Sequence, residues 1–216
     1  MVAAQSVLAA VVVALALSAL ALADGPPVRI QRGGQAKAVA ALLERSDFGS
    51  GWQGGETKPS SLAAPGCPGF DPKQSDLVVT GHADARFTFP AGDVVLDQDV
   101  EVLASAAAVQ KDFARTVSPR LPSCLAYQIK RARNVVSASV ERMPFPATGS
   151  VSAAYRATVI VRSLHLKGTL LSDFVFFADG PVEYSFNVTA PVEARSQLVR
   201  FEYALAQILL KRAGTS

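Results

Sequence analysis

The chain has 216 residues, of which half are hydrophobic and 18% are charged. Its 21 basic and 18 acidic residues leave a formal net charge of +3, a mild excess that is not typical of a nucleic-acid-binding protein. This length suits one domain with a well-buried core. We therefore expect a single globular domain with no nucleic-acid partner.

The first 23 residues carry no charge, and most of residues 7–23 are Val, Ala and Leu. The run ends with Ala21-Leu22-Ala23, a small-x-small pattern that signal peptidase cleaves. The basic residues that usually precede such a run are missing, so an uncleaved anchor and a core helix remain alternatives. We predict a signal peptide over residues 1–23, and with it a secreted or cell-envelope protein without a transmembrane segment in the mature chain.

The sequence contains two cysteines, Cys67 and Cys124. In an exported chain a single pair of cysteines indicates a disulfide bond, with two buried thiols as the alternative. A bridge across these 57 positions (124 minus 67) would add about 4 kcal/mol in the chain-entropy model.

The chain after the apolar run begins with a Pro- and Gly-containing stretch, residues 24–34, which we expect to be a linker. Apolar residues spaced by three and four predict a helix over 35–45. Glycine-rich residues 46–55, around the single tryptophan Trp52, and proline-rich residues 60–75 follow. Neither segment is expected to form regular structure.

Alternation then predicts two strands, 82–90 and 94–103, joined by a hairpin turn. Asp97, Asp99 and Glu101 fall on one face of the second strand, which could bind a hard cation such as Ca²⁺. No glycine-rich acidic loop accompanies them, so we expect a solvated face that pairs with Arg86 on the neighbouring strand, and no metal site. The two histidines, His82 and His165, are expected at the surface.

Two helices should come next, one capped by Ser105 and ended by Pro119, the other over residues 121–133. Alternating apolar stretches then predict four strands and a closing helix, namely 135–144, 151–164, 167–178, 182–189 and 191–212. The order α-ββ-αα-ββββ-α predicts an α+β fold, an antiparallel sheet of about six strands covered by helices. We assign residues 35–213 to this single domain.

Three segments of this sequence resemble a known family: LLERSDFGSGW (42–52), VEVLASAAAVQKDF (100–113) and SPRLPSCLAYQIK (118–130). The chain is similar there to the extracellular sensor domains of actinobacterial PknH-class serine/threonine kinases and related small exported proteins, whose plan is a PsbP-like α+β sandwich. The resemblance covers about residues 38–211. The kinase-linked members have a second cysteine pair, which this chain lacks. The resemblance implies ligand binding or sensing outside the cell and supplies no catalytic residues.

Basic residues cluster in the two middle helices, where they could form a patch for anionic lipid or cell-wall polymer, or simply a solvated helix exterior. They are Lys111, Arg115, Arg120, Lys130, Arg131 and Arg133.

Aromatic residues alternate along three later strands and could share one sheet face beneath the last helix. They are Tyr155, Phe174, Phe176, Tyr184 and Phe186. They could be core residues or the floor of an apolar pocket. The Trp52 loop could be the mouth of that pocket, or Trp52 could be a plug in the core. On the pocket hypothesis the ligand-binding residues are Trp52, Phe174, Phe176, Tyr184 and Phe186.

No nucleophile–base pair or cofactor motif is visible in the sequence. We therefore expect an exported, non-catalytic, sensor-like domain that binds a small or lipidic ligand or a cell-envelope partner, without a cofactor. The alternative is a structural or assembly protein of the envelope that acts through protein contacts.

Overall fold

A computed structural model describes residues 25–60, 66–163 and 166–213. The described strands are β1 (Gln53–Thr57), β2 (Val79–Phe89), β3 (Val94–Leu103), β4 (Val135–Met143), β5 (Val151–Ser163), β6 (Leu166–Asp179) and β7 (Val182–Pro191). The described α-helices are α1 (Arg32–Ala40), α2 (Ala106–Thr116), α3 (Leu121–Lys130) and α4 (Arg195–Ala213). The fold is α+β, as predicted, with the order α-βββ-αα-ββββ-α and one strand more than expected.

The seven strands form one sheet in the order β1-β2-β3-β7-β6-β5-β4. Every pair is antiparallel. Two meanders, β1-β2-β3 and β4-β5-β6-β7, are joined where β3 pairs with β7. This arrangement confirms the antiparallel meander predicted for the second half of the chain.

The extra strand, β1, lies in the glycine-rich segment for which we expected no regular structure, and that expectation was wrong. β1 pairs with β2 from Gln53↔Thr88 to Thr57↔Asp84. Gly54 has a φ of +120°, and a Cβ there would lie 2.0 Å from the carbonyl oxygen of Arg86. Glycine is thus required for the close approach that forms this edge strand.

Helices cover both faces of the sheet. Residues of α1 and α4 pack with Phe87, Leu96 and Tyr184 on one face, which we call the main core face. Residues of α2 and α3 pack with Tyr155, Phe174 and their neighbours on the opposite face. The β2–β3 part of this second face is polar, because the alternate residues of both strands carry charged side chains there.

Helix α1 lies earlier than predicted, at Arg32–Ala40 rather than 35–45. The Gln98 side chain of β3 accepts a hydrogen bond from Leu43 N (2.8 Å) and donates one to the Ala41 carbonyl oxygen (3.2 Å). These bonds hold the chain in a turn at Ala41 and Leu42, where the longer predicted helix would continue. The predicted linker is also partly ordered, since Arg29 N and Gln31 N donate to the Val79 and Thr80 carbonyl oxygens of β2.

Helices α2 and α3 begin where the sequence indicated. Ser105 caps α2 by accepting a hydrogen bond from Ala108 N at 3.1 Å, and Pro122 lies in the first turn of α3. Cys124 of α3 forms the predicted disulfide with Cys67, with a Cα–Cα distance of 5.4 Å. The disulfide thus fastens the proline-rich loop to α3, as expected.

In the described part of the chain, no helix combines the length and the apolar composition needed to cross a membrane. The predicted signal peptide and His165 lie outside the described residues.

Candidate functional site

Three side chains on the polar part of the sheet converge on one point. Nε2 of His82 lies 2.8 Å from Oδ1 of Asp84 and 2.6 Å from Oδ2 of Asp99. The three potential ligand atoms all lie within 4.8 Å of one another. His82 and Asp84 are buried, at 6% and 8% exposure, whereas the Asp99 side chain is 31% exposed. The group, which we call the His82 cluster, therefore opens towards solvent on its Asp99 side.

The hairpin register assembles the His82 cluster. Asp84 pairs with Asp99, and His82 pairs with Glu101, so four polar side chains form a block on two adjacent strands. Helix α1 fixes the backbone beneath it, because the Gln35 side chain accepts from His82 N (3.1 Å) and donates to its carbonyl oxygen (2.9 Å). Ser60 N donates to Asp84 Oδ2 at 2.7 Å. The ligand atoms are therefore held by three separate parts of the chain.

Burial and charge act in opposite directions on the imidazole. Burial by itself lowers the pKa of His82, but hydrogen bonds to Asp84 and Asp99 outweigh it and raise the pKa to about 9. Burial raises the pKa of Asp99 against the opposing effect of His82. Without a bound cation, a protonated imidazole balances the two carboxylates. The imidazolium has one positive charge for two carboxylates, and its single Nε2–H cannot donate a full hydrogen bond to both oxygens at once. The two carboxylates are therefore only partly compensated.

More carboxylates line the same face next to the His82 cluster. Glu101 on β3 pairs with Glu183 on β7, and burial raises the pKa of each well above the usual range, with nearby carboxylates adding to the effect. Glu183 Oε2 is buried without a hydrogen-bond partner among the described residues. Asp112 of α2 faces them and accepts hydrogen bonds from Gln74 (2.9 Å) and Thr116 (3.1 Å). This face thus gathers several buried carboxyls, whose charged forms a bound cation would favour.

The ligand types indicate which cation would fit. An imidazole nitrogen with two carboxylate oxygens is a set that Zn²⁺ and other divalent transition metals accept, whereas Ca²⁺ takes oxygen ligands alone. Three protein ligands also leave coordination positions for water or a further group. The arrangement can hold a divalent ion and leave one side of it accessible.

In the sequence, Asp97, Asp99 and Glu101 form the set that could bind a cation, and His82 is expected at the surface. The expectation for His82 was wrong, because its side chain is buried and lies against Asp84 and Asp99. Of the three acidic residues on the face that we expected to pair with Arg86, Asp97 does so, at 3.5 Å. Register counting from the predicted hairpin turn could have found the site, since the same register that pairs Arg86 with Asp97 pairs Asp84 with Asp99.

The aromatic residues do not share one sheet face, contrary to our expectation. Tyr184 and Phe186 lie on the main core face, and Phe177 stacks on Tyr184 at 4.7 Å between ring centroids. Phe174 and Phe176 point to the opposite face with Tyr155, where they pack beneath α2 and α3. These residues belong to two separate cores.

Trp52 also lies on the main core face, partly buried. Its indole stacks on Phe48 at 4.7 Å and on Phe89 and Phe201 at 5.6 Å each. These contacts tie the loop before β1 to β2 and α4. They agree with the interpretation of Trp52 as a plug rather than as the mouth of a pocket.

The basic residues of the middle helices divide into two groups. Lys111 and Arg115 both pair with Asp76 at 2.6 Å, and Arg120 donates to the Gly69 carbonyl oxygen at 2.6 Å. These three hold the disulfide-bonded loop. Lys130, Arg131 and Arg133 are exposed at the end of α3.

Comparison with known proteins gave no match to a family model, a curated protein or a solved structure. Fold and site together define an α+β sheet domain with a disulfide and a candidate cation site. The resemblance to the kinase sensor domains stays a prediction.

Proposed function

We propose that this protein is an extracytoplasmic, non-catalytic binding domain whose ligand is a divalent transition-metal ion held by the His82 cluster. The observation that carries the proposal is the convergence of one imidazole nitrogen and two carboxylate oxygens, with two of the three residues, His82 and Asp84, buried. The proposal departs from the sequence-based expectation of no metal ligand, because only the strand register brings His82 and Asp84 to Asp99.

Two features support a metal over a purely structural ion triad. Asp84 Oδ1 is buried with no hydrogen-bond partner among the described residues, apart from its ion contact with His82. The carboxyls of the neighbouring Glu101 and Glu183 have raised pKa values because they are buried close to other carboxyls, and a divalent ion nearby would favour their charged forms. Their carboxylates would act on the metal through space or through water.

The disulfide supports an oxidising compartment, and the predicted signal peptide supplies the route to it. N-terminal sequencing of the exported protein should begin at Asp24. A mature protein that still begins at Met1 would contradict export by cleavage.

Isothermal titration of chelator-treated protein with ZnCl₂ tests the metal site directly. We expect one equivalent to bind. His82→Ala and Asp99→Asn should each weaken binding by more than about 100-fold, because a side chain that binds the metal directly contributes more than one that only orients a ligand. The cysteines offer no competing thiolate, since both are in the disulfide.

Asp97→Asn is the matched control, because Asp97 lies on the same face of the same strand, one alternate position from Asp99. This variant should bind ZnCl₂ like the unaltered protein. Equal losses in all three variants would mean that general negative charge, not the His82 cluster, attracts the ion. No binding by the unaltered protein would overturn the proposal.

A further inference from the structure

A second surface lies at the end of the sheet opposite β1, where α3 leads into β4, β5 ends and β6 begins. Five exposed basic residues gather there, and we call this surface the basic end. They are Lys130, Arg131, Arg133, Arg162 and Lys167. The described segments that form this end, residues 128–140, 157–163 and 166–172, contain no acidic residue.

Strand pairing brings the two sequence segments together. Arg162 pairs with Lys167 across the β5–β6 hairpin, and Arg162 N donates to the Asn134 carbonyl oxygen at 2.8 Å, next to Arg133. Within the described residues, no carboxylate pairs with any of the five basic side chains. Lys111 and Arg115, by contrast, are bound to Asp76. The charge of the basic end is thus available to a partner.

Apolar groups are exposed among these charges. Tyr127 is 39% and Val136 49% exposed. Arg131 lies 5.7 Å above the Tyr127 ring and donates to its hydroxyl oxygen at 3.1 Å, so the ring is held outward. Basic side chains mixed with exposed tyrosine and aliphatic groups match a surface whose outer layer is anionic and whose next layer is apolar.

We propose that the basic end docks on an anionic phospholipid bilayer. A bilayer offers phosphate groups to the five cations and an apolar layer to Tyr127 and Val136. A soluble anionic polymer offers only the first, which is why the bilayer is the better match. This inference does not depend on the metal site, which lies on β2 and β3 towards the other edge of the sheet.

Vesicle co-sedimentation of the full chain tests the proposal, with vesicles of phosphatidylcholine alone and of phosphatidylcholine mixed with phosphatidylglycerol. The unaltered protein should bind the mixed vesicles more tightly. The triple variant Arg133→Ala, Arg162→Ala, Lys167→Ala should lose about 100-fold of that preference, since each cation near such a surface contributes about fivefold. Any binding through the apolar N-terminal segment is common to all variants and cancels in the comparison.

The matched control removes three exposed cations near the opposite edge of the sheet, as Arg29→Ala, Arg32→Ala, Lys58→Ala. It changes the net charge equally and should keep the preference for mixed vesicles. Equal losses in both triple variants would overturn the proposal in favour of net charge alone, as would equal binding of neutral and mixed vesicles.

A separate variant, Tyr127→Ser, distinguishes lipid from soluble anions. It should weaken vesicle binding while leaving any binding of soluble polyphosphate unchanged. If Tyr127→Ser has no effect on vesicles, or if polyphosphate binds the basic end while mixed vesicles do not, the bilayer is the wrong partner. Circular dichroism of each variant checks that the fold is kept.

Discussion

Arg156 and Asp173 form a two-bond ion pair inside the main core, on the paired strands β5 and β6. Nε of Arg156 donates to Oδ1 of Asp173 at 2.7 Å, and its Nη2 donates to Oδ2. Asp173 is fully buried. The carboxyl of Glu202 on α4, also fully buried, has no hydrogen-bond partner among the described residues. Burial, together with the nearby Asp173 carboxylate, raises the pKa of Glu202 to about 9.

Glu202→Gln should stabilise the protein at neutral pH. The folded protein binds a proton at Glu202 more tightly than the unfolded chain does. This contribution to the free energy of unfolding is fully present below the ordinary glutamate pKa and is lost as pH rises to about 9. The gain in the variant should therefore be small at pH 4 and reach about 3 kcal/mol at pH 7. Thermal unfolding across this range measures it.

Glu193→Gln makes the same chemical change at an exposed carboxylate just before α4, and should leave the melting temperature nearly unchanged. If Glu202→Gln lowers stability at pH 7, the buried carboxyl has a favourable partner that outweighs its burial.

Trp52→Ala should destabilise the protein by about 3 kcal/mol, the usual range for a large aromatic residue removed from a packed position. The reason is the loss of stacking on Phe48, Phe89 and Phe201. Urea unfolding measures the change. Tyr127→Ala, at an exposed ring, serves as the control and should have little effect on stability. If Trp52→Ala leaves the urea midpoint of unfolding unchanged, Trp52 is not a plug in the core, and the hypothesis that its loop is the mouth of a pocket is favoured.

Gly54→Ala should detach β1 from β2, whereas Gly55→Ala should not. A Cβ at Gly54 would collide with the Arg86 carbonyl oxygen, and its φ is in the region that favours glycine, while a Cβ at Gly55 meets nothing within 4 Å. Hydrogen exchange of the β1 and β2 amides reports the difference. Equal protection in the two variants would show that β1 tolerates a side chain at this close approach.

The disulfide should contribute to stability through the long loop it closes. Replacing Cys67 and Cys124 together by Ser should lower the free energy of unfolding by up to about 4 kcal/mol. The loop keeps other contacts, such as Arg120 with Gly69 and Gln128 with Gly66, so the fold should survive. Free-thiol counting on unfolded, unreduced protein should give zero. Two reactive thiols would show that the bond is absent in solution.

The sequence by itself determined the class of fold and most of the elements. Period-two alternation places β2 to β7, and the Ser105 cap and Pro122 mark the starts of α2 and α3, because these signals are local and depend on a few neighbouring residues. The two cysteines likewise predicted the disulfide bond. Local signals failed at β1, where glycines that usually indicate a loop instead permit a close approach to Arg86.

Tertiary structure decided which side chains meet. His82, Asp84 and Asp99 read separately as ordinary strand residues, and the β2–β3 register with Gln35 of α1 makes them a cluster. The alternating aromatic residues look alike in sequence, yet the pairing of β6 with β7 puts Phe174 and Tyr184 on opposite faces, because a shift of one residue exchanges the faces of a strand. Arg133 and Arg162 likewise become neighbours only through the pairing of β4 with β5. Contacts between distant segments depend on register and packing, which no short stretch of sequence contains.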